Sequence, residues 1–285
     1  MMIGPRKPPH SVPVLQRWLK GTERATGIAV ARQQRWVSFM VLAAMLDRAR
    51  DPAGQPLFLV KGGVAMELRF VAGARATKDL DLAYRADPRR MLDRLDDALA
   101  AGHGDFTAHR SPAEAIRDTG AFRLAIKLAY RTRPWATVQT EISYAEAGIA
   151  DEIDRLPAKP LAHLGLAGPD EVPAVAVRWQ LAQKLHACTE PVVDGRTNDR
   201  FRDLIDILLL WDLITPDARP AVTDACRQVF DGRQAHPWPP RLEPPDHWRH
   251  GYSAVAAEIA FPLAEVADAV AAVDAIITQL AQGDP

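Results

Sequence analysis

Asp79 and Asp81 stand on either side of Leu80, and Leu82 continues the alternation. On a strand, Leu80 and Leu82 would face a core while the two carboxylates share the opposite face. Adjacent like charges repel unless a cation lies between them. The pair therefore asks for a hard divalent ion such as Mg2+, which takes carboxylate, phosphate and water oxygens. Two carboxylates beside a phosphate cradle suit two-metal phosphoryl or nucleotidyl transfer. Gly62 and Gly63 offer such a cradle, because a helix that starts straight after a strand and a Gly-Gly pair aims backbone N–H groups and its positive dipole end at one spot. The same dipeptide is also an ordinary tight turn.

Three further positions join the pair. In "TVQTEISY" (137–144), Val138, Thr140 and Ile142 take one strand face and Gln139, Glu141 and Ser143 the other, which makes Glu141 a third acid or an ordinary exposed glutamate. On a helical wheel through "AVAVRWQLAQKLHAC", Lys184 lies roughly 20° from Val177, on the flank of an apolar stripe. Burial there without a partner would be costly, so Lys184 either snorkels to the surface or meets phosphate. Along "NDRFRDLIDILLL", Phe201, Leu204, Ile205 and Leu208 form the apolar face. Asp199, Asp203 and Asp206 fall opposite it, toward water or a catalytic cleft, with Asp203 and Asp206 the stronger candidates.

These residues need positioning elements. Trp36, Phe39, Met40, Ala43 and Leu46 recur at helical spacing, with Arg32, Gln33 and Arg35 on the other side. A turn at "DPAGQP" leads to a buried strand at 57–61, a helix from Gly63 to about Phe70, the "DLDLAY" strand and a helix across "PRRMLDRLDDALAAG". "AFRLAIKLAY" and "ATVQTEISY" read as a hairpin joined by "RTRPW". After about residue 150 the strand signal fades. Helices follow around 175–189, 199–213, 216–230 and 262–282, interrupted by a proline-rich stretch. The expected architecture is α+β, with a mixed sheet and basic N-terminal helices over residues 1–150 and a mainly helical part over 151–285.

Composition sets bounds on class. The chain of 285 residues carries 48% hydrophobic and 25% charged residues, ordinary values for a globular protein. Its two cysteines, Cys188 and Cys226, match no metal or redox spacing, and its longest apolar run is too short to span a bilayer. A cytoplasmic, soluble protein is expected. The net charge is −1, yet residues 1–50 carry nine Lys or Arg against two acids, and residues 251–285 carry five acids and no base. Such polarity can steer a polyanion to one end of the molecule, and it is equally the pattern of two solvated helix faces.

The combination of Gly62-Gly63, the Asp79-Leu80-Asp81 strand, a later strand acid, "QKLHA" at 183–187 and "DRFRDLIDILLL" at 199–210 resembles the AbiEii-type nucleotidyltransferase toxins, especially their MenT branch. "RQAHPWPPRLEPPDHW" (233–248) extends the likeness to nearly the whole chain. The resemblance implies a polymerase-β-like nucleotidyltransferase fold with a helical C-terminal half. It implies a toxin held in check by a cognate antitoxin, transferring nucleotides from a nucleoside triphosphate, with CTP a candidate, to the 3′ end of tRNA and so blocking aminoacylation and translation. Asp79 and Asp81 would hold magnesium with Glu141, and two ions are expected. Lys184 and Asp206 belong to the family's active-site set, and Lys61, Gly62, Gly63, Lys78 and Lys184 would bind the nucleotide. Val64 departs from the pattern, since most nucleotidyltransferases carry Ser or Thr directly after the glycines. Thr77, two residues before Asp79, is a further expectation: phosphorylation there would place roughly two negative charges beside the carboxylates. Two other functions stay open on the residues alone: transfer to a protein or small-molecule hydroxyl, and binding of nucleotide or RNA without catalysis.

Overall fold

The computed structural model describes residues 6–70, 73–116, 119–146, 148–191 and 197–282. The chain divides into two compact units, the first comprising residues 1–69, 76–145 and 153–174, the second residues 70–75, 146–152 and 175–285.

The first unit is built on one mixed sheet. Its strands are β1 (Phe58–Lys61), β2 (Asp79–Tyr84), β3 (Phe106–Arg110), β4 (Glu114–Ile116), β5 (Ala121–Tyr130), β6 (Arg133–Tyr144), β7 (Ile153–Pro157) and β8 (Glu171–Val175). They run in the order β3-β5-β6-β2-β1-β8-β7, with β4 also on β5. β2 lies near the middle, antiparallel to β1 and parallel to β6. Among the described residues the α-helices of this unit are α1 (Val12–Thr26), α2 (Val30–Leu46), α3 (Gly62–Arg69) and α4 (Met91–Ala100). The hydrophobic core gathers Leu80 and Leu82 of β2, Leu124 and Ile126 of β5, Val138 and Ile142 of β6, and most of α2.

The periodicity of α2 predicts a single apolar stripe, but Val37 to Ala43 are all buried, as are Met45 and Leu46. The helix is enclosed on nearly every side because Ser38 is the one polar residue in that run, and its hydroxyl donates back to the Gln34 carbonyl. The β5–β6 hairpin is also tighter than its sequence suggests. Only Arg131 and Thr132 form the turn, both at positive φ, and β6 begins at Arg133. Two left-handed residues give a reversal whose twist matches the strands it joins.

β7 and β8 lie where the strand signal fades after about residue 150, in a part expected to be mainly helical. Each has five residues, and Pro173 interrupts the strand signal of "EVPAV". Proline cannot donate to a ladder, so the segment reads as loop although Val172, Ala174 and Val175 are buried.

The second unit is helical among the described residues, with α5 (Val177–Thr189), α6 (Phe201–Trp211), α7 (Arg219–Arg233), α8 (Trp248–Glu258) and α9 (Val266–Gln282). Leu181, Leu185, Leu204, Ile205, Val229, Phe230, Trp248, Tyr252, Val273 and Ile277 fill its interior. α8 was hidden behind the prolines and by Gly251, a poor helix former. A Cβ on Gly251 would lie 2.7 Å from the Phe201 ring, so the missing side chain lets α8 close on α6. No helix of the described residues is long and apolar enough to cross a membrane.

Candidate active site

β2 alternates as its sequence predicts: Leu80 and Leu82 are buried, Asp79 is exposed and Asp81 half-buried. Register then decides what joins the carboxylates. Asp81 pairs with Lys61 on β1 and with Glu141 on β6, while Asp79 pairs with Gln139. Paired residues on neighbouring strands share a face, so Lys61, Asp81 and Glu141 form a row across three strands with Asp79 alongside. Lys61 Nζ donates to Ser143 Oγ at 2.7 Å. Glu141 faces Arg123 of β5 at 3.6 Å. Lys78 is exposed at the start of β2.

The glycines fit tightly against this row. Gly62 adopts φ +58°, a left-handed conformation, and a Cβ on it would overlap the Asp81 carboxylate. On Gly63 a Cβ would come within 2.6 Å of Thr77 Cβ and Oγ1. Only glycine at both positions lets the N-terminus of α3 seat against Asp81 and Thr77, and it brings the positive end of the helix to the carboxylate. Val64 turns into the hydrophobic core, where an apolar side chain is at home. Thr77 is 7% exposed and its hydroxyl donates to the Asp79 carbonyl at 3.3 Å.

In the second unit Lys184 Nζ lies 2.7 Å from Asp203 Oδ1 and 2.7 Å from Asp206 Oδ2. Lys184 is 8% exposed, Asp203 4% and Asp206 0%. This corrects the expectation that the two aspartates of α6 face water or a cleft: they turn inward to share the lysine of α5. Arg75 adds a second cation, its guanidinium 3.0 Å from Asp206 Oδ2. Burial opposes the charged form of Asp206, but Lys184 and Arg75 outweigh it and hold the carboxyl below the usual aspartate range. Burial likewise opposes the Lys184 cation, and Asp203 and Asp206 together raise it above an ordinary lysine. Arg75 was invisible to sequence periodicity, since it lies in a connection 131 residues before its partner.

The family of nucleotidyl transferase AbiEii toxins of type IV toxin–antitoxin systems matches residues 44–278. The chain belongs to this family. Among solved structures, the fold is similar to that of the nucleotidyltransferase toxin MenT4 from Mycobacterium tuberculosis H37Rv, with a TM-score of 0.59 and 17% identity over 95% of this chain and 90% of that one. No curated protein matches.

Nucleotidyltransferases in general work on a nucleoside triphosphate with metal ions. Among the described residues no three His, Cys, Asp or Glu side chains converge to hold an ion together. Asp79 and Asp81 nevertheless fit magnesium in kind, as hard oxygen donors on one face whose shell phosphate and water oxygens complete. Glu141 sits in the same row, with Arg123 at 3.6 Å. AbiEii membership also implies an antitoxin partner.

Proposed function

We propose that the protein is a toxin that transfers nucleotides from a nucleoside triphosphate, with CTP a candidate, to the 3′ end of tRNA, blocking aminoacylation and so translation. The observation that carries this reading is the row of Asp81, Glu141 and Lys61 beside Asp79, pressed against a glycine turn at the N-terminus of α3. Asp79 and Asp81, with Glu141, would hold one or two Mg2+ ions. Bound metal would neutralise the triphosphate and ease loss of the proton from the attacking hydroxyl. The chain's own residues do the positioning: Lys61 and Lys78 bring positive charge to the same end of β2, and the backbone of Gly62 and Gly63 would receive phosphate oxygens. Lys184 and Asp206 join the set on the family resemblance, and Asp203, hydrogen-bonded to the same lysine, goes with them.

Restraint would come from the cognate antitoxin, and phosphorylation of Thr77 is the covalent form proposed for it. The Thr77 side chain is buried against Gly63, so a kinase would reach it only when this segment opens. The phosphate would then wedge the glycine turn from β2.

Incubating the protein with total tRNA, magnesium and each labelled nucleoside triphosphate tests the reading, with Asp79→Ala as control. Label at the 3′ end of tRNA, lost in the control, is expected. Label on protein or on a small molecule would move the assignment to another hydroxyl acceptor, and no label on any acceptor would favour a binding protein.

A further inference from the structure

Glu67 is a buried carboxylate that the transfer chemistry does not use. It is 4% exposed, in the last turn of α3, yet both its oxygens are engaged. Oε1 accepts the backbone N–H of Thr77 at 2.8 Å. Oε2 accepts the indole N–H of Trp36 at 2.6 Å and a guanidinium N–H of Arg32 at 3.4 Å. The Trp36 ring in turn carries Arg32 at 5.2 Å and Lys159 at 4.5 Å. These cations make the surroundings of the carboxylate electropositive, as a buried charge requires.

The geometry around Thr77 gives the arrangement a purpose. Gly63 and Glu67 are four residues apart on α3 and so share one face of the helix. Gly63 packs on the Thr77 side chain and Glu67 holds the Thr77 backbone, so one helix face grips this residue at two points. The Thr77 hydroxyl reaches the carbonyl of Asp79, the first residue of β2. We infer that Glu67 is a positioning residue, fixing the glycine turn of α3 against the strand that carries Asp79 and Asp81. Its far side, through Trp36 and Arg32, ties the same carboxylate to α2. The inference rests on the reading of Asp79 and Asp81 as the reacting site.

The chemistry of the carboxylate supplies the test. A glutamate offers acceptor oxygens to Thr77 and to Trp36 at once, whereas a glutamine has a single oxygen and an NH2 group that donates. In Glu67→Gln one of the two N–H groups must face another donor. Adding Trp36→Phe removes the closer competing donor, leaves only the long 3.4 Å Arg32 contact on that side, and so returns the oxygen to Thr77. Residue-resolved amide hydrogen exchange on the full-length chain reads this directly. Exchange at Thr77 is expected to quicken about tenfold or more in Glu67→Gln, the equivalent of losing one hydrogen bond to a charged group, while the ladder amides of β2 stay protected. Protection at Thr77 should recover in the double variant. In the transfer assay, Glu67→Gln should lower kcat by about tenfold to a hundredfold through misplacement of the strand, raise the magnesium concentration for half-maximal rate, and regain rate with Trp36→Phe.

Wild-type exchange at Thr77 in Glu67→Gln would overturn the inference. So would a loss of protection spread evenly over the unit, or a double variant that fails to recover. Should the wild-type protein transfer nothing, the functional reading falls while the exchange series still decides the role of Glu67.

Discussion

Replacing Lys184 by methionine keeps the length and much of the apolar stem of the side chain but removes the cation that two buried carboxylates share. Asp206 would keep Arg75 at 3.0 Å. Asp203 would keep only Arg200 at 3.7 Å, a contact from a side chain that is 63% exposed and therefore weak. The damage falls mainly on Asp203, left charged at 4% exposure. Breaking a buried ion pair by removing one partner costs about 3–5 kcal/mol, which for a domain of this size lowers Tm by on the order of 10 °C. Urea titration and calorimetry at pH 7 measure it. Combining Lys184→Met with Asp203→Asn should recover part of the loss, because a neutral amide needs no counter-ion. A Lys184→Met protein within about 1 kcal/mol of wild type, below the range for a broken buried pair, would refute the reasoning. The pH dependence has a definite sign. Asp206, held below its ordinary value, contributes fully above the unfolded aspartate pKa and loses its contribution only as pH falls through the lower folded value. Lys184, raised, contributes below the unfolded lysine pKa and loses it as pH rises through the higher folded one. Any role of Lys184 in transfer must therefore be measured at a temperature where the variant is still folded.

Asp79→Ala should abolish transfer and growth inhibition with little change in stability, because Asp79 is exposed and the core face of β2 is untouched; equal toxicity at matched expression would sink the two-metal reading. Gly62→Ala should destabilise the first unit by about 1–3 kcal/mol through overpacking against Asp81, visible as a lower urea midpoint and as lost transfer. His186 is buried, and desolvation, helped by Arg233 and His236, pushes its pKa down to about 3. The unfolded chain takes up a proton near the ordinary histidine value while the folded one does not, so stability should fall with pH between those values, by about 2 kcal/mol from pH 7 to pH 5. A His186→Gln variant should show a correspondingly flatter profile over that interval.

The strand of Asp79 and Asp81 was legible because one period-2 pattern fixed both its core face and its polar face, and the same held for Glu141 on β6. Side-chain alternation is local, so a short stretch of sequence suffices to read it. What joined the row needed register, which no single strand carries: Lys61, Ser143 and Arg123 took their places only once β1, β5 and β6 were paired with their neighbours. Lys184 was read as lying on the flank of an apolar stripe, and the structure buries it in a helix enclosed on most sides. Its partners were misread, since a wheel drawn for α6 alone places Asp203 and Asp206 away from the aliphatic face and cannot show that α5 offers a buried cation there. Glu67 and Arg75 left no trace in periodicity, because their partners lie on other elements. β8 and α8 were obscured by Pro173 and Gly251, residues whose tertiary surroundings override a poor local preference.

The place of β2 in its sheet has a consequence for biosynthesis. One neighbour, β1, precedes it by a short connection, but the other, β6, pairs with it across about 60 residues, as Asp79 meets Gln139. A ribosome adding 5–20 residues per second needs on the order of ten seconds to reach the end of β6. Until then the carboxylate strand has one open edge and lacks Glu141, which completes its row, and Ser143, which receives Lys61. A chain ending after Tyr130 should accordingly be harmless to the cell that makes it. The order of the strands thus works as a timer, keeping a nascent toxin inert while half of it is already made.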